Sequence, residues 1–205
     1  DDMIISGGEN VQPADVERIP EDAAFACDAL HPGSAYGEAK RAAEQWCLQY
    51  GLQHDIAIPV ARCFAFVGAT LPLDGHFAIG NFIRDALAGQ PIQVSGDGSP
   101  LRSYLYGADL AIWLLTLLLQ GQHGRAYNVG ADQALSIAEL AHQVRDTLAP
   151  AAAVHITRGH DDKAGRNRYI PSIQRARHEL ALDAWTPLEE AIRLTAECAS
   201  PVSQP

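Results

Sequence analysis

The chain has 205 residues, of which 47% are hydrophobic and 20% charged, and this composition supports a packed core and excludes wholesale disorder. Lys and Arg number 15 against 25 Asp and Glu, so the formal net charge is −10. Without a basic cluster, this charge argues against a general nucleic-acid or membrane-surface binder, although a few arginines can still hold a phosphate locally.

The first predicted helix follows a stretch rich in turn-forming residues, 1–35. Ser34 is expected to be its N-cap, and alanines and Trp46 recur at helical spacing as far as Tyr50. Gly51 is expected just past the end of this helix, where a left-handed residue often stops a helix. Residues 55–66 form a short apolar run, which predicts a buried strand.

The middle of the chain alternates predicted helices and strands. Residues 77–88 have helical periodicity, and short strands are predicted over 92–94 and 101–106. The most apolar stretch, 110–119, is ten residues long, whereas a membrane span needs about 20. It therefore predicts a buried helix, with Asp109 as its cap.

The last third of the chain continues the alternation. A strand over 126–129 precedes a helix that Ser136 opens, with Glu139 in the spacing of a capping box. A strand over 154–157, a polar loop over 158–168 and a final helix from Thr186 complete the prediction. Strands that alternate with helices in this way indicate an α/β protein.

The cysteines, the histidines and the first residues of the chain bear on its cellular compartment, on metal binding and on whether it is part of a longer protein. Cys27, Cys47, Cys63 and Cys198 have no C-x-x-C spacing, which favours reduced, mostly buried thiols in a cytoplasmic protein over a disulfide or a zinc site. The histidines show no metal-ligand spacing either, so no metal is expected. Because the chain starts with Asp1 and its only methionine is Met3, we expect a piece of a longer protein. No signal peptide is visible.

Tyr36 and Lys40 are the residues that point most directly to chemistry. Residues four apart on a helix share a face, so the phenol is expected to lie beside the ammonium. The cation favours the phenolate form, and a tyrosine held in this way can exchange a proton with a sugar or alcohol hydroxyl during hydride transfer. On its own, Tyr-x-x-x-Lys also occurs as an ordinary exposed pair.

Several ordered sequence blocks, with Tyr36 and Lys40 in the first, carry a resemblance to a known family. The blocks are SAYGEAKRAAE, ARCFAFVG, IRDALAGQPIQVSGDGSPLRSYLYGADLA, RAYNVG and LSIAELA. In this order they resemble the extended short-chain dehydrogenase/reductase superfamily, and within it the NAD-dependent nucleotide-sugar epimerase/dehydratase branch, over residues 18–195. The resemblance implies an α/β fold, the C-terminal part of a Rossmann-like parallel sheet plus a smaller α/β substrate-binding domain.

This resemblance also implies a division of the chain. Residues 1–65 would be a remnant of the NAD-binding domain with the Tyr/Lys helix, 66–200 mainly the sugar-nucleotide-binding domain with returning sheet elements, and 201–205 a tail. The family commonly pairs through packed helices, including the one that carries Tyr36, which predicts a homodimer.

The same resemblance assigns the expected site residues. Tyr36, Lys40 and Ser6 would be catalytic, and Ser6 is equally well a plain turn serine. Tyr36, Lys40 and the segment Arg62, Cys63 and Phe64 would contact NAD, which is favoured over NADP. Ala65 stands where the family commonly has asparagine, and Ser103 stands where it has aspartate. The residues expected to contact the nucleotide-sugar substrate are Ala65, His76, Ala78, Ile79, Asn81, Ile92, Val94, Arg102 and one C-terminal arginine, for which Arg158, Arg166 and Arg168 are candidates.

The parent activity implied by the resemblance is NAD-dependent epimerisation of a nucleotide sugar, in polysaccharide biosynthesis. The alternatives are a 4,6-dehydratase or a keto-sugar reductase, and a non-catalytic sugar-nucleotide-binding domain. Gly7 and Gly8 after Ser6 disfavour the dehydratase, which usually has Asp-Glu there. The family's G-x-G-x-x-G turn is missing, so the chain is expected to be inactive alone. Residues 1–17 also resemble the hinge block of acyl-CoA synthetases, a match that stops there.

Overall fold

The computed structural model describes residues 18–22, 30–157 and 167–199.

The first long helix is mostly exposed to solvent. A 3-10 turn over Pro32–Ser34 leads into this helix, α1, which comprises Ala35–His54. The only buried residues of α1 are Gly37 and Gly51, and the Trp46 side chain is 77% exposed. The homodimer expected through this helix stays a prediction.

The chain then forms the following further strands and helices. The strands are β1 (Val60–Cys63), β2 (Phe66–Val67), β3 (Ile92–Val94), β4 (Leu101–Arg102), β5 (Leu105–Tyr106), β6 (Ala126–Val129), β7 (Leu135–Ser136), β8 (Val154–Ile156) and β9 (Arg168–Tyr169). The helices are α2 (Ala78–Leu87), α3 (Gly107–Gln120), α4 (Ile137–Leu148), α5 (Gln174–Leu180) and α6 (Leu188–Ala199). Pairing is parallel for β1 with β6, β2 with β5, β3 with β8 and β4 with β9, and antiparallel for β4 with β7.

Strands β1 and β6 form a parallel pair with helices on both of its faces. Tyr127 and Val129 of β6 pack with Trp113 and Leu117 of α3 in one buried cluster, which α5 also joins. Because side chains alternate along a strand, Arg62 of β1 points to the opposite face, where its guanidinium binds α1. In the described part of the chain, no strand pairs with the other edge of β1. This arrangement confirms the expected α/β class.

A second core lies between β3 and three helices. Ile79 and Ile83 of α2, Ile92 and Val94 of β3, and the buried residues of α4 and α6 pack together here. The amphipathic helix α4 begins as expected, because the Ser136 hydroxyl accepts from the Glu139 N–H and the Glu139 carboxylate accepts from the Ser136 N–H at 2.7 Å. The division of the chain at residue 65 stays a prediction, although β6 does return to pair with β1.

The expected end of the first helix is wrong. Helix α1 continues past Gly51 to His54, and its C-cap is Asp55, which takes the left-handed conformation with φ 53°. Gly51 is instead a place of close approach: a Cβ atom there would lie 2.6 Å from Ile58 Cγ1. At the other end, Ser34 is the N-cap by position, but its side chain makes no capping hydrogen bond.

Two expectations about the leucine-rich helix are also wrong. Only Asp109, Trp113 and Leu117 of α3 are buried, and Leu118 is 73% exposed, so one side of this helix faces solvent. Asp109 does not cap α3, whose N-cap is Tyr106. Its carboxylate instead accepts hydrogen bonds from the Thr186 N–H at 2.9 Å and the Thr186 hydroxyl at 3.1 Å, which ties α3 to the segment that precedes α6.

The described cysteines are free thiols, as expected, but Cys47 and Cys198 are exposed and only Cys63 is half-buried. Cys27 lies outside the described residues. Among the helices that the structure describes, none combines the length and the apolar character needed to cross a bilayer.

Candidate functional site

Tyr36 and Lys40 lie on one side of α1, near its N-terminus. The Lys40 ammonium nitrogen is 5.4 Å from the centroid of the Tyr36 ring, within the range of a cation–π contact. The Tyr36 side chain is 46% exposed, so the phenol is open to an incoming molecule. The i, i+4 juxtaposition expected from the sequence is therefore present.

A bidentate ion pair between Arg62 of β1 and Glu44 of α1 holds the helix against the strand. Arg62 donates from Nε to Glu44 Oε1 at 2.9 Å and from Nη2 to Glu44 Oε2 at 2.8 Å. Its remaining nitrogen, Nη1, donates to the carbonyl of Glu21 at 2.7 Å. The hydrogen bond to Glu44 raises the pKa of Arg62, although burial opposes the shift. All three nitrogens are thus occupied, and the role of Arg62 toward a cofactor stays a prediction.

The end of β1 brings Cys63 and Phe64 close to the Tyr36 and Lys40 pair. Burial raises the pKa of the Cys63 thiol, and the charge of Lys40 acts against this shift. The Phe64 ring stacks on that of Tyr169, with centroids 4.5 Å apart. Tyr169 is itself buried and adjoins Arg102 in the β4–β9 pairing.

Arg102 is held from one side and open on the other. Its Nη1 donates to the Leu101 carbonyl at 2.9 Å and to both the carbonyl and the side-chain Oδ1 of Asn167 at 3.2 Å. Within the described ranges, Nε and Nη2 donate to no acceptor, and neither nitrogen is sealed from solvent. The Nε–Nη2 edge is the fork with which arginine binds phosphate oxygens in pairs.

The charge of Arg102 is not balanced by any carboxylate in the part of the chain that the structure describes. Burial lowers its pKa, and the neighbouring phenols of Tyr104 and Tyr169 act against this shift. Burial also raises the pKa of Tyr104 to about 12 and raises that of Tyr169 further, so both phenols are neutral at physiological pH. A half-buried cation that forms no ion pair with a described carboxylate favours an anionic ligand.

Tyr169 adjoins residues from two strands of the predicted site. Its ring stacks on that of Phe64, which follows β1, and it pairs with Arg102 between β4 and β9. The groups whose charges act on its pKa include Arg102, Cys63 and Tyr36. Arg168, the described candidate among the C-terminal arginines, is half-buried and pairs with Leu101 next to Arg102. Tyr36 and Lys40 thus lie together on α1, and Phe64 and Arg102 both adjoin Tyr169, whereas the roles predicted for these residues and for Cys63 stay predictions.

The other predicted substrate residues are distributed differently. Ile79, Ile92 and Val94 have side chains fully buried in the second core, so any contact with a ligand would come from their backbone. Asn81 Oδ1 accepts from Arg84 at 3.0 Å. His76 is exposed in the loop before α2, and Ala78 and Ala65 are half-buried. Ser6, Arg158 and Arg166 lie outside the described residues, and their roles stay predictions.

Sequence reasoning missed Asn167 and Tyr169 as members of this site. Asn167 falls inside the polar loop predicted over 158–168, and Tyr169 directly follows that loop. In the structure, Tyr169 belongs to the two-residue strand β9 and Asn167 precedes it. The alternation of Arg168, Tyr169 and Ile170 is too short to predict a strand, and the partner strand is distant in the sequence.

The comparisons with known proteins fit this α/β fold with its phenol–ammonium pair. The sequence profile of the NAD dependent epimerase/dehydratase family matches residues 4–130, which is more than half of the chain. The chain therefore belongs to the NAD dependent epimerase/dehydratase family.

Individual relatives match the chain over part of their length. UDP-glucuronic acid decarboxylase 1 of Danio rerio is 30% identical over 166 residues, which are 81% of this chain and 39% of that protein. The crystal structure of UDP-glucose 4-epimerase from Thermotoga maritima, with UDP-glucose, superposes with a TM-score of 0.75 at 23% identity, covering 94% of this chain and 59% of that one. The crystal structure of dTDP-glucose 4,6-dehydratase from Bacillus anthracis, in complex with NAD, superposes with a TM-score of 0.74 at 21% identity, covering 97% of this chain and 59% of that one. The chain thus has the fold of these enzymes and spans roughly 0.4 to 0.6 of the length of these three proteins.

Proposed function

We propose that this chain supplies the proton-transfer helix and the sugar-nucleotide site of an NAD-dependent epimerase that acts on a nucleotide-activated sugar. The observation that carries the proposal is the exposed Tyr36 phenol with the Lys40 ammonium above its ring. Family membership supports it, because NAD dependence and epimerase or dehydratase chemistry are the family's description.

The proposed chemistry begins at the Tyr36 oxygen. Tyr36 acts as the general base that takes the proton from a hydroxyl of the bound sugar, with the Lys40 ammonium beside its ring. When bound beside Tyr36 and Lys40, NAD would supply reversible hydride acceptance at the same sugar carbon. Inversion at that carbon requires that the keto sugar turn its other face so that the hydride returns to that face, while Tyr36 gives the proton back to the oxygen.

The residues present fit one end of NAD. The Tyr36 hydroxyl and the Lys40 ammonium are donors suited to the ribose and carboxamide beside the nicotinamide ring. The sequence contains no G-x-G-x-x-G turn with which to hold the pyrophosphate. We therefore expect turnover only where a dinucleotide-binding half completes the site, whereas binding of the sugar nucleotide needs only the residues of this chain.

Arg102 is the proposed ligand of the substrate diphosphate. Its open Nε–Nη2 edge matches the spacing of two phosphate oxygens, and the absence of a described carboxylate partner leaves its charge available. Arg168 pairs with Leu101 and not with Arg102, so its side chain lies on the other face of the β4–β9 pair, and its contact with the substrate stays a prediction.

Decarboxylation is the second candidate reaction, because the curated relatives that match include UDP-glucuronic acid decarboxylases at 28% to 30% identity. Incubation of the completed enzyme with NAD and UDP-glucose, UDP-glucuronic acid or dTDP-glucose, with the products followed by NMR, separates these reactions. A C4 epimer supports the proposal, whereas a UDP-pentose or a 6-deoxy-4-keto sugar as the product would replace epimerisation with decarboxylation or dehydration.

Replacement of Tyr36 by Phe tests the role of the phenol. The Tyr36→Phe variant should lower turnover by about 100-fold or more, with nucleotide affinity unchanged, because only the exchangeable proton is removed. Tyr50→Phe is the matched control, since Tyr50 is an exposed tyrosine on the same helix whose ring contacts that of His54. Equal turnover in the two variants would remove Tyr36 from the mechanism.

A further inference from the structure

Asn167 determines how Arg102 is presented, although nothing in the resemblance assigns it a role. The Asn167 carbonyl accepts from the Leu101 N–H at 2.8 Å, which fixes its backbone against β4. From this fixed position, both the carbonyl and the side-chain Oδ1 accept from Nη1 of Arg102, each at 3.2 Å. The side chain of Asn167 thus adds an acceptor to a guanidinium nitrogen that the backbone already holds.

The geometry of the guanidinium makes this contact directional. The group is planar, so holding Nη1 fixes the plane and aims Nε and Nη2 together in one direction. Those two nitrogens have no acceptor in the described ranges, and they form the paired edge that suits a phosphate.

The neutrality of the amide matters as much as its position. A carboxylate at residue 167 would hold Nη1 equally well, but it would cancel the charge of Arg102 and repel an anion. The amide holds the arginine without neutralising it. No other described side chain accepts from this guanidinium.

We propose that Asn167 is a positioning residue, which holds Arg102 with its Nε–Nη2 edge toward the diphosphate of a nucleotide ligand while leaving the charge uncompensated. This inference rests on the proposed function, since it refines the diphosphate site assigned there. It predicts that the affinity for a nucleoside diphosphate depends on the charge of residue 167, separately from the stability of the fold.

The test compares Asn167→Ala with Asn167→Asp by calorimetric titration with UDP, and with uridine as the probe without phosphates. Asn167→Ala should weaken UDP binding about threefold, because it loses one neutral acceptor. Asn167→Asp should weaken it about tenfold or more, because the isosteric carboxylate neutralises Arg102. The melting temperature should nonetheless stay at or above that of the wild type in Asn167→Asp, and Gln90→Glu, at an exposed position, controls for the added charge.

A positioning role predicts that Asn167→Asp loses UDP affinity while its melting temperature does not fall. A purely structural role predicts that affinity and melting temperature change together. If UDP affinity follows the melting temperature, so that Asn167→Asp binds as well as the wild type, the inference is overturned. Arg102→Met separates the two proposals: if it abolishes UDP binding while both Asn167 variants bind normally, only the role of Asn167 fails. If the wild type itself does not bind UDP, the diphosphate site fails and this inference fails with it.

Discussion

Replacement of Gly51 by Ala sets two effects of known size against each other. Inside a helix, alanine is favoured over glycine by about 1 kcal/mol, so propensity alone predicts that the variant is more stable. The structure predicts the opposite. The added Cβ would lie 2.6 Å from Ile58 Cγ1, 2.7 Å from the Ile56 carbonyl oxygen and 2.9 Å from His123 Cε1.

These neighbours have little freedom to move away. The Ile56 N–H donates to the Gly51 carbonyl at 3.0 Å, and the Ile58 N–H donates to His123 Nδ1 at 3.1 Å, so the crowded backbone is held on both sides. Overpacking of this kind costs about 1–3 kcal/mol, and after the gain in propensity we expect a net loss of about 1 kcal/mol.

Urea unfolding followed by far-UV circular dichroism measures the difference. Gly107→Ala in α3 is the matched control, because the nearest atom to its added Cβ is the Val67 carbonyl oxygen at 3.7 Å, an ordinary contact. That variant should be as stable as the wild type or more so. If Gly51→Ala proves equal to or more stable than the wild type, the close packing between α1 and the start of β1 is refuted.

Two further predictions concern ion pairs. Glu44→Ala should lower the free energy of unfolding by about 1–3 kcal/mol, because it leaves the half-buried Arg62 with the Glu21 carbonyl as its remaining partner. A double-mutant cycle with Arg62→Met measures the coupling energy between the two side chains. If the losses of the two single variants simply add in the double variant, the ion pair does not hold α1. The hydrogen bond from Arg177 lowers the pKa of Asp183, so the stability that Asp183 adds is present at neutral pH and is lost as the pH falls through its folded-state pKa. Asp183→Asn should therefore be less stable than the wild type at pH 7, with a difference that begins to shrink near the ordinary Asp pKa of about 4 and is lost only at still lower pH; a constant difference in unfolding measurements would contradict this coupling.

Interactions between neighbours in the sequence could be predicted. Tyr36 with Lys40 and Ser136 with Glu139 are four and three residues apart, and helical geometry alone brings each pair together. The alternation of strands and helices indicated the α/β class, and the family blocks added the family, because their order along the chain is specific even where single motifs are not.

Contacts between distant segments could not be predicted in this way. Asp109 finds its partner Thr186 77 residues away, and Arg102 finds Asn167 65 residues away, so no local pattern distinguishes these partners from a cap or a loop residue. Gly51 fits a helix stop by its residue type, but its small size is needed for packing against residues that follow. The composition of α3 indicated burial without showing which side of the helix would be covered.

The edge of β1 that no strand covers in residues 18–22, 30–157 and 167–199 has a practical consequence for handling this chain. An uncovered strand edge is a template for intermolecular β-pairing, and this one lies between helices that expose Trp46 and Leu118. Purified by itself, the chain should therefore self-associate increasingly as it is concentrated. Dilute samples and size-exclusion profiles at several loadings belong at the start of any titration with UDP, since an aggregated sample would hide the site.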